Sequence, residues 1–236
     1  MQEIIDEQEY QKVLDFIKEY LKKKPFFSIE EIVDYIHQRF KSSQYANKNF
    51  IERIVKILIK QKMIVFGTKL LKEDILETPK RNEIYDFVCK NPGTIISEIM
   101  NETETGANHT LWHLKFLYNF QFIRMSVIGK KKAYFNSNLD HRFDTLRFYF
   151  RNDRIIKITE LLNNSKDGLT VSKVGELLGY HFKTTKKYLD ILKELDIIVI
   201  SKENGKNIYF IKIKNYNRAL SIKNDLENET PKREIE

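Results

Sequence analysis

Residues 91–135 read NPGTIISEIMNETETGANHTLWHLKFLYNFQFIRMSVIGKKKAYF, and this stretch decides the fold. Asn91-Pro92-Gly93 stops whatever helix precedes it, because Pro cannot extend a helix and Gly accepts the turn. Thr94 to Met100 carries Ile95, Ile96 and Ile99 and reads as a short helix. The polar run Thr103 to Gly106 reads as a turn. Ala107 to Phe120 then places Thr110, Leu111, Leu114, Leu117 and Tyr118 on one stripe at helical spacing, which predicts a longer helix. Phe122 to Ile128 alternates apolar and polar, Gly129-Lys130-Lys131 turns, and Lys132 to Asn136 returns, the signals of a β-hairpin. Upstream, Pro79-Lys80-Arg81 opens a further helix with Ile84, Phe87 and Val88 on one face.

Working outward, the same recipe recurs. A shift of 75 residues aligns Gly93 with Gly168, Ser97 with Ser172 and Thr110 with Thr185. It also aligns Leu114 with Leu189, Leu117 with Leu192, Ile123 with Ile198, Lys131 with Lys206, and Tyr134-Phe135 with Tyr209-Phe210. No gap is needed, and such spacing is the mark of an internal repeat. In the later copy Ile155, Ile158, Leu161 and Leu162 give a first helix, and Val171, Val174, Leu177 and Leu178 a second. Thr185, Leu189 and Leu192 carry the third, and a hairpin turns at Glu203-Asn204-Gly205.

The first third of the chain fits more loosely, at a shift of 59 that puts Val55, Leu58 and Ile64 on Leu114, Leu117 and Ile123. Val13, Leu14, Ile17, Tyr20 and Leu21 predict one helix; Ile29, Ile32, Val33 and Ile36 a second; Phe50, Ile51, Ile54, Val55 and Leu58 a third. After Met63 to Phe66 the chain runs GTKLLKEDIL with no returning strand, so the hairpin here is short or lost.

Three helices followed by a two-stranded wing is the order of a winged helix-turn-helix. The expected class is therefore α+β, mostly α. It comprises a divergent winged-helix domain over 8–76, winged-helix domains over 78–138 and 151–214, an aromatic linker over 139–150, and a charged, partly disordered tail over 215–236. The stretch quoted above resembles the winged-helix units of archaeal transcription regulators, themselves broadly similar to the bacterial ArsR and MarR groups. The resemblance rests on the NPG turn, the Ile-Ser start, Thr-Leu-Trp-His-Leu in the third helix, and the Phe-Ile and Tyr-Phe strands. VSKVGELLGYHFKTTKKYLDILKELDIIVISKENGKNIYF, beginning at Val171, resembles the same family. The resemblance implies a DNA-binding regulator whose third helices enter the major groove while the wings lie on the backbone.

Composition sets the surrounding limits. The chain has 236 residues, a formal charge of +8, one Cys and 42% hydrophobic residues. That length supports a sizeable core, and one Cys excludes a disulfide framework or a Cys-built zinc site. The apolar runs fall far short of the roughly 20 residues that span a bilayer. The opening MQEIIDEQEY lacks the basic and apolar regions of a signal peptide, so the expected setting is cytoplasmic, on the nucleoid. Few glycines, no glycine-rich phosphate loop and no Gly-x-Ser-x-Gly or His-Glu-x-x-His motif leave catalysis without support. The acid pairs Glu30-Glu31 and Glu73-Asp74 fit solvated helix faces and turns.

Charge is more telling by location than by total. Residues 77–104 hold six acids against Lys80, Arg81 and Lys90, whereas residues 105–138 hold Lys115, Arg124, Lys130, Lys131 and Lys132 and no acid, a net +5. Residues 180–214 carry a net +4, including Lys183, Lys187, Lys202 and Lys206. Lysines at wing positions meet phosphates without regard to sequence; an ordinary solvated face is the other reading. Base readout needs side chains off the core stripe near the start of the third helix. Those are Asn108, His109, Trp112 and His113 in the second domain, and Lys183, Thr184, Lys187 and Tyr188 in the third. Asn108 as a helix cap, His113 and Tyr188 as partly buried residues, and Trp112 as a packing residue against another domain remain open.

His109 and His113, four residues apart, have the spacing of a metal pair, but no further ligands lie nearby, so no metal or cofactor is expected. Cys89 sits beside Phe87 and Val88 and reads as a buried small hydrophobe, and His141 and His181 as loop residues. The expected partner is double-stranded DNA, with residues 1–76 or the 139–150 segment available to a second copy or a protein. The competing reading is a winged-helix protein-interaction scaffold without specific DNA binding, as in RNA polymerase III accessory subunits and endosomal-sorting complexes, an analogy of fold alone.

Overall fold

The computed structural model describes residues 7–39, 47–203 and 205–228. Helices α1 (Glu7–Lys23), α2 (Ile29–Arg39) and α3 (Lys48–Lys60) come first. Their apolar stripes meet in one core that buries Val13, Ile17, Leu21, Ile32, Ile36, Ile51, Ile54 and Leu58. Helix α2 starts on a reciprocal cap: the Ser28 N–H donates to the Glu31 carboxylate at 2.9 Å, and the Glu31 N–H donates to Ser28 Oγ at 3.1 Å. Where a wing would follow α3, a single antiparallel bridge joins Ile64 to Leu71, and a 3-10 turn occupies Glu73–Glu77.

Next come α4 (Pro79–Lys90), β1 (Thr94–Ile95), α5 (Ile96–Glu102), α6 (Ala107–Asn119), β2 (Ile123–Ile128) and β3 (Lys131–Asn136). A 3-10 turn at His141–Phe143 leads into α7 (Asp144–Phe150). Then follow α8 (Asp153–Asn163), β4 (Leu169–Thr170), α9 (Val171–Leu178), α10 (Phe182–Glu194), β5 (Ile198–Glu203), β6 (Lys206–Ile211) and α11 (Ile213–Asn228). The two small sheets have strand orders β1-β3-β2 and β4-β6-β5. Residues 1–86 with 100–124 form one compact unit; residues 87–99 with 125–236 form the other.

The 75-residue repeat of the sequence is a repeat of backbone geometry. Thr94 pairs with Tyr134 and Ile95 with Ala133; Leu169 pairs with Tyr209 and Thr170 with Ile208, the same register moved by the same interval. Gly93 and Gly168, just before these strands, both have positive φ. A Cβ at Gly93 would lie 3.3 Å from the ring of Phe135, and one at Gly168 would lie 2.7 Å from the ring of Phe210. The aligned glycines thus share one reason: a left-handed turn pressed against the aligned aromatic ring.

The helix ends extend the pattern to the first third. After α3, the Lys62 N–H donates to Ile59 O and the Met63 N–H to Leu58 O. Gln121 and Phe122 repeat those two bonds after α6, and Asp196 and Ile197 after α10. Lys62, Gln121 and Asp196 all sit at φ near 58°, the left-handed residue of a Schellman motif.

Two expectations are corrected. Leu111, Tyr118 and Leu177 are about half exposed, not core. At about 100° per residue, Leu111 and Tyr118 fall off the side of a stripe centred on Thr110 and Leu117. The charged tail is instead α11 through Asn228, with Tyr216 and Ala219 buried in the core of α8–α10. Its polar composition masks their i, i+3 spacing; residues 229–236 lie outside the described residues. The 139–150 segment, by contrast, is helical and packed, as its run of aromatics leads one to expect of a segment that is no flexible tether: Phe150 is buried with Ile155 and Leu189, while Phe148 and Tyr149 pack on Ile128, Ala133 and Phe135. Arg151, just after α7, holds this segment to α5 by donating to Gly93 O and Glu98 Oε2, each at 2.8 Å.

Candidate nucleic-acid interface

Helix α6 begins at Gly106, which gives no side-chain cap, and buries Thr110, His113, Leu114 and Leu117. Thr110 Oγ1 donates back to Gly106 O at 3.1 Å and meets Thr105 Oγ1 at 2.7 Å, fixing the first turn. Asn108 is exposed and is not the cap. His109 and Lys115 are exposed, and Trp112 is 49% exposed. With Leu111 and Tyr118 they make an outer face that has cation, amide and aromatic character and no carboxylate.

His113 is not on that face. It is 6% exposed, and its Nδ1 has no hydrogen-bond partner among the described residues. Burial, then the charge of Arg81, His109 and Lys80, hold its pKa below the ordinary value. Sequence periodicity did not point to Arg81, which is 1% exposed on α4. Its Nη1 donates to Ile75 O at 2.7 Å, and its guanidinium lies 4.6 Å from the Phe116 ring centroid and 5.3 Å from that of Trp112. A buried guanidinium against two aromatic faces braces α6 from within. The Trp112 ring thus lies by Arg81 and edge-to-face with His113 and Phe116, its centroid 4.9 and 4.8 Å from theirs, and keeps about half of its surface in solvent. The His109 and His113 rings are 6.4 Å apart, and the second faces cations, a poor setting for a metal ion. Among the described residues no group of three His, Cys, Asp or Glu could hold one.

Arg124, on β2, is half-buried. In the other unit, Lys130, Lys131 and Lys132 are exposed at the turn between β2 and β3. Cys89 is half-buried and accepts from Asn136 Nδ2 at 3.2 Å.

Helix α10 is capped by His181, whose Nδ1 accepts from the Lys183 N–H at 3.3 Å, so a residue expected in a loop has a structural task. Lys183 and Lys187 are exposed and Thr184 is half-buried. Tyr188 is buried at 8%, not available at the surface. Its burial raises the phenol pKa, but hydrogen bonds to Arg154 and Asn152 and the charges of Arg154 and Lys187 outweigh that and leave it below the ordinary value. The exposed residue that periodicity did not flag is Phe182, at the first turn of α10. An aromatic one step outside an apolar stripe is the signal that could have found it. In the wing, Glu203 pairs with Lys206 in the β5–β6 register; Lys202 and Lys206 are exposed, and Asn204 lies outside the described residues.

The acid pairs have structural partners. Glu31 meets Lys24 at 2.6 Å, and Lys18 bridges Glu73 and Asp74 at 3.1 Å each. Among the described residues no helix is long and apolar enough to cross a membrane.

No protein-family model matches the chain. It is similar to an uncharacterized HTH-type transcriptional regulator of Methanocaldococcus jannaschii, 27% identical over 165 residues. The match covers 70% of this chain and 41% of that protein, so the chain spans less than half the length of that relative.

Proposed function

We propose that this protein is a DNA-binding transcription regulator built from three winged-helix domains. In this reading α6 and α10 enter the major groove, and the wings at Lys130-Lys131-Lys132 and at Lys202 and Lys206 lie on the phosphate backbone. Asn108, His109 and Trp112 on α6, with Lys183, Thr184 and Lys187 on α10, are the side chains offered to base edges and nearby phosphates. His113 and Tyr188 act from beneath by fixing their helices. The observation that carries the reading is the acid-free run over 105–138, in which Lys115, Lys130, Lys131 and Lys132 are all exposed. The likeness to an archaeal HTH-type regulator supports it.

Selection of bound sequences from random duplex DNA at moderate salt tests it. Enrichment of a common motif is expected, with affinity falling by a log–log slope of about −0.9 per phosphate neutralised. Absence of duplex binding at low salt would overturn the reading. One observation favours a protein-interaction scaffold instead: Leu111, Trp112 and Tyr118 leave an apolar strip on α6 about half exposed. Under that reading alanine at Trp112 disrupts a protein complex and leaves any DNA affinity unchanged.

A further inference from the structure

Outside α6 and α10, the largest exposed aromatic feature among the described residues lies where a single bridge stands in place of a wing after α3. Phe26 is 60% exposed and Phe66 is 61% exposed. Their ring centroids are 5.4 Å apart at 72°, an edge-to-face pair, and Phe66 also meets the buried Phe27 at 5.7 Å. The pair is held in place. The Gly67 N–H donates to Pro25 O at 3.0 Å, tying the two loops together, and a Cβ at Gly67 would lie 3.2 Å from the Phe26 ring. Two rigid rings that keep more than half their surface in water cost the free protein apolar exposure and offer an open π-face.

The stretch of chain that carries Phe66 is basic. From 53 to 72 the chain contains Arg53, Lys56, Lys60, Lys62, Lys69 and Lys72 and no Asp or Glu. The next acids, Glu73 and Asp74, are held by Lys18, and Asp74 also accepts from the Leu71 N–H. Lys23 and Lys24, just before Phe26, face Glu19 and Glu31, so the cations left on either side of Phe66 in the chain are Lys62, half-buried, and Lys69, exposed. A protein partner would need acidic residues around an apolar centre. A nucleic-acid strand supplies negative charge at every nucleotide and an aromatic plane beside it, and stacking on aromatic side chains within a cationic groove is how unpaired bases are held.

We propose that the Phe26–Phe66 pair is a stacking site for an unpaired base of single-stranded DNA, with Lys62 and Lys69 meeting the flanking phosphates. It uses none of the residues assigned to the duplex, and it rests on the proposed function only in taking DNA as the nucleic acid.

The test uses the full chain and a single-stranded DNA 12-mer with one central 2-aminopurine, titrated at low salt. Stacking should quench the fluorescence. Phe66→Ala and Phe26→Ala should each weaken binding about five-fold or more, the range that loss of one base–aromatic stack produces. Phe66→Trp should retain the quench, which separates ring loss from misfolding, and Lys69→Glu should weaken binding without abolishing it. Duplex affinity should be unchanged in Phe66→Ala, whereas Lys130→Glu, Lys131→Glu and Lys132→Glu together should weaken the duplex and leave the quench intact. If Phe66→Ala binds the strand as well as the wild type, the proposal is wrong. It is equally overturned if RNA of the same sequence displaces the DNA at tenfold lower concentration. It also fails if Phe66→Ala abolishes self-association in sedimentation without touching strand binding. Absence of duplex binding by the wild type, with the quench present, would overturn the duplex reading alone.

Discussion

Helices α6 and α10 hold the same place in the repeat and end on the same hydrogen bonds, yet their outer faces differ. The shared part is buried: Thr110 and Thr185 each donate back to the carbonyl four residues earlier, and Leu114, Leu117, Leu189 and Leu192 fill the core. The exposed part has diverged. Across α6 the only charged side chain is Lys115, beside Asn108, His109 and Trp112; α10 carries Lys183, Lys186, Lys187 and Lys193 with Asp190 and Glu194. Packing fixes the inner face because a change there leaves a cavity or a strained rotamer. The outer face is held less tightly, Trp112 by Arg81 and Phe116 and Lys186 by Asp190, so it is freer to take on a function. Around α6 the cations, Lys115 apart, lie on the following hairpin at Lys130, Lys131 and Lys132, and the helix carries amide, imidazole and indole groups. Around α10 both the helix and the β5–β6 hairpin carry lysines.

The largest effect should come from breaking that division of labour at the wing. Reversing Lys130, Lys131 and Lys132 to Glu should lower duplex affinity on the order of a thousandfold near 0.1 M salt, and flatten the log–log salt slope by about 2.7. Fluorescence anisotropy at several salt concentrations measures both. The same reversal at Lys202 and Lys206 should do less, because α10 brings cations of its own. Equal losses at the two wings would remove the asymmetry.

Next in size is base preference. Asn108→Ala should cost about 1–3 kcal/mol at one base pair and little elsewhere. Phe182→Ala should cost a few-fold, and only where a thymine methyl lies beneath the ring. Replacing thymine by uracil in the selected site should reproduce the Phe182→Ala loss in the wild type and have no effect in the variant. A uniform loss across sequences would instead make both positions phosphate or packing residues.

Much of the fold is legible in the amino-acid sequence. The Gly93/Gly168 and Tyr134/Tyr209 alignments foretell a shared register because side chains alternate with period two, and a slip of one residue would expose the core face. The reduction of the hairpin after α3 to the single Ile64–Leu71 bridge is foreshadowed by the lack of a returning Tyr-Phe strand in the sequence. The orientation of single side chains near the boundary of a stripe is not legible. His113 and Trp112 are neighbours in sequence, and one is buried while the other is half exposed, because Arg81 occupies the space beneath the indole. A buried Arg from another helix leaves no period to read. Helix α11 is hidden for a different reason: its few apolar residues are diluted by Lys, Asn and Arg.

His113 gives a smaller effect, on stability. Its pKa is depressed in the folded protein, first by burial and then by Arg81, His109 and Lys80. The unfolded chain therefore takes up the proton first as pH falls. Stability should be at its full value above about pH 6.5, the ordinary imidazole value, and decline as the pH drops from there toward the folded-state pKa. His113→Leu should flatten the decline, as urea melts at pH 8 and pH 5.5 would detect. Tyr188, at the aligned outer-stripe position of α10, carries no imidazole, so a matching decline from the third domain is not expected. A pH profile unchanged in His113→Leu would show that other groups set it.

The smallest effect tests the repeat itself. Lys62, Gln121 and Asp196 end three helices in the left-handed conformation that costs an L-residue about 1 kcal/mol and costs glycine almost nothing. Gln121→Gly should therefore stabilise by about 0.5–1 kcal/mol, less the extra entropy glycine gains in the unfolded chain. Lys62→Gly should behave alike, since neither side chain has a bond to lose there among the described contacts. Asp196→Gly should gain little or lose, because its carboxylate holds Lys212 and accepts from Asn215 Nδ2 at 2.8 Å, contacts that dock the start of α11. Guanidinium melts of the three variants would rank them. If Asp196→Gly gained as much as Gln121→Gly, the α11 contacts would be worth nothing. If Gln121→Gly destabilised, the shared geometry at the helix ends would not be the common device inferred from the repeat.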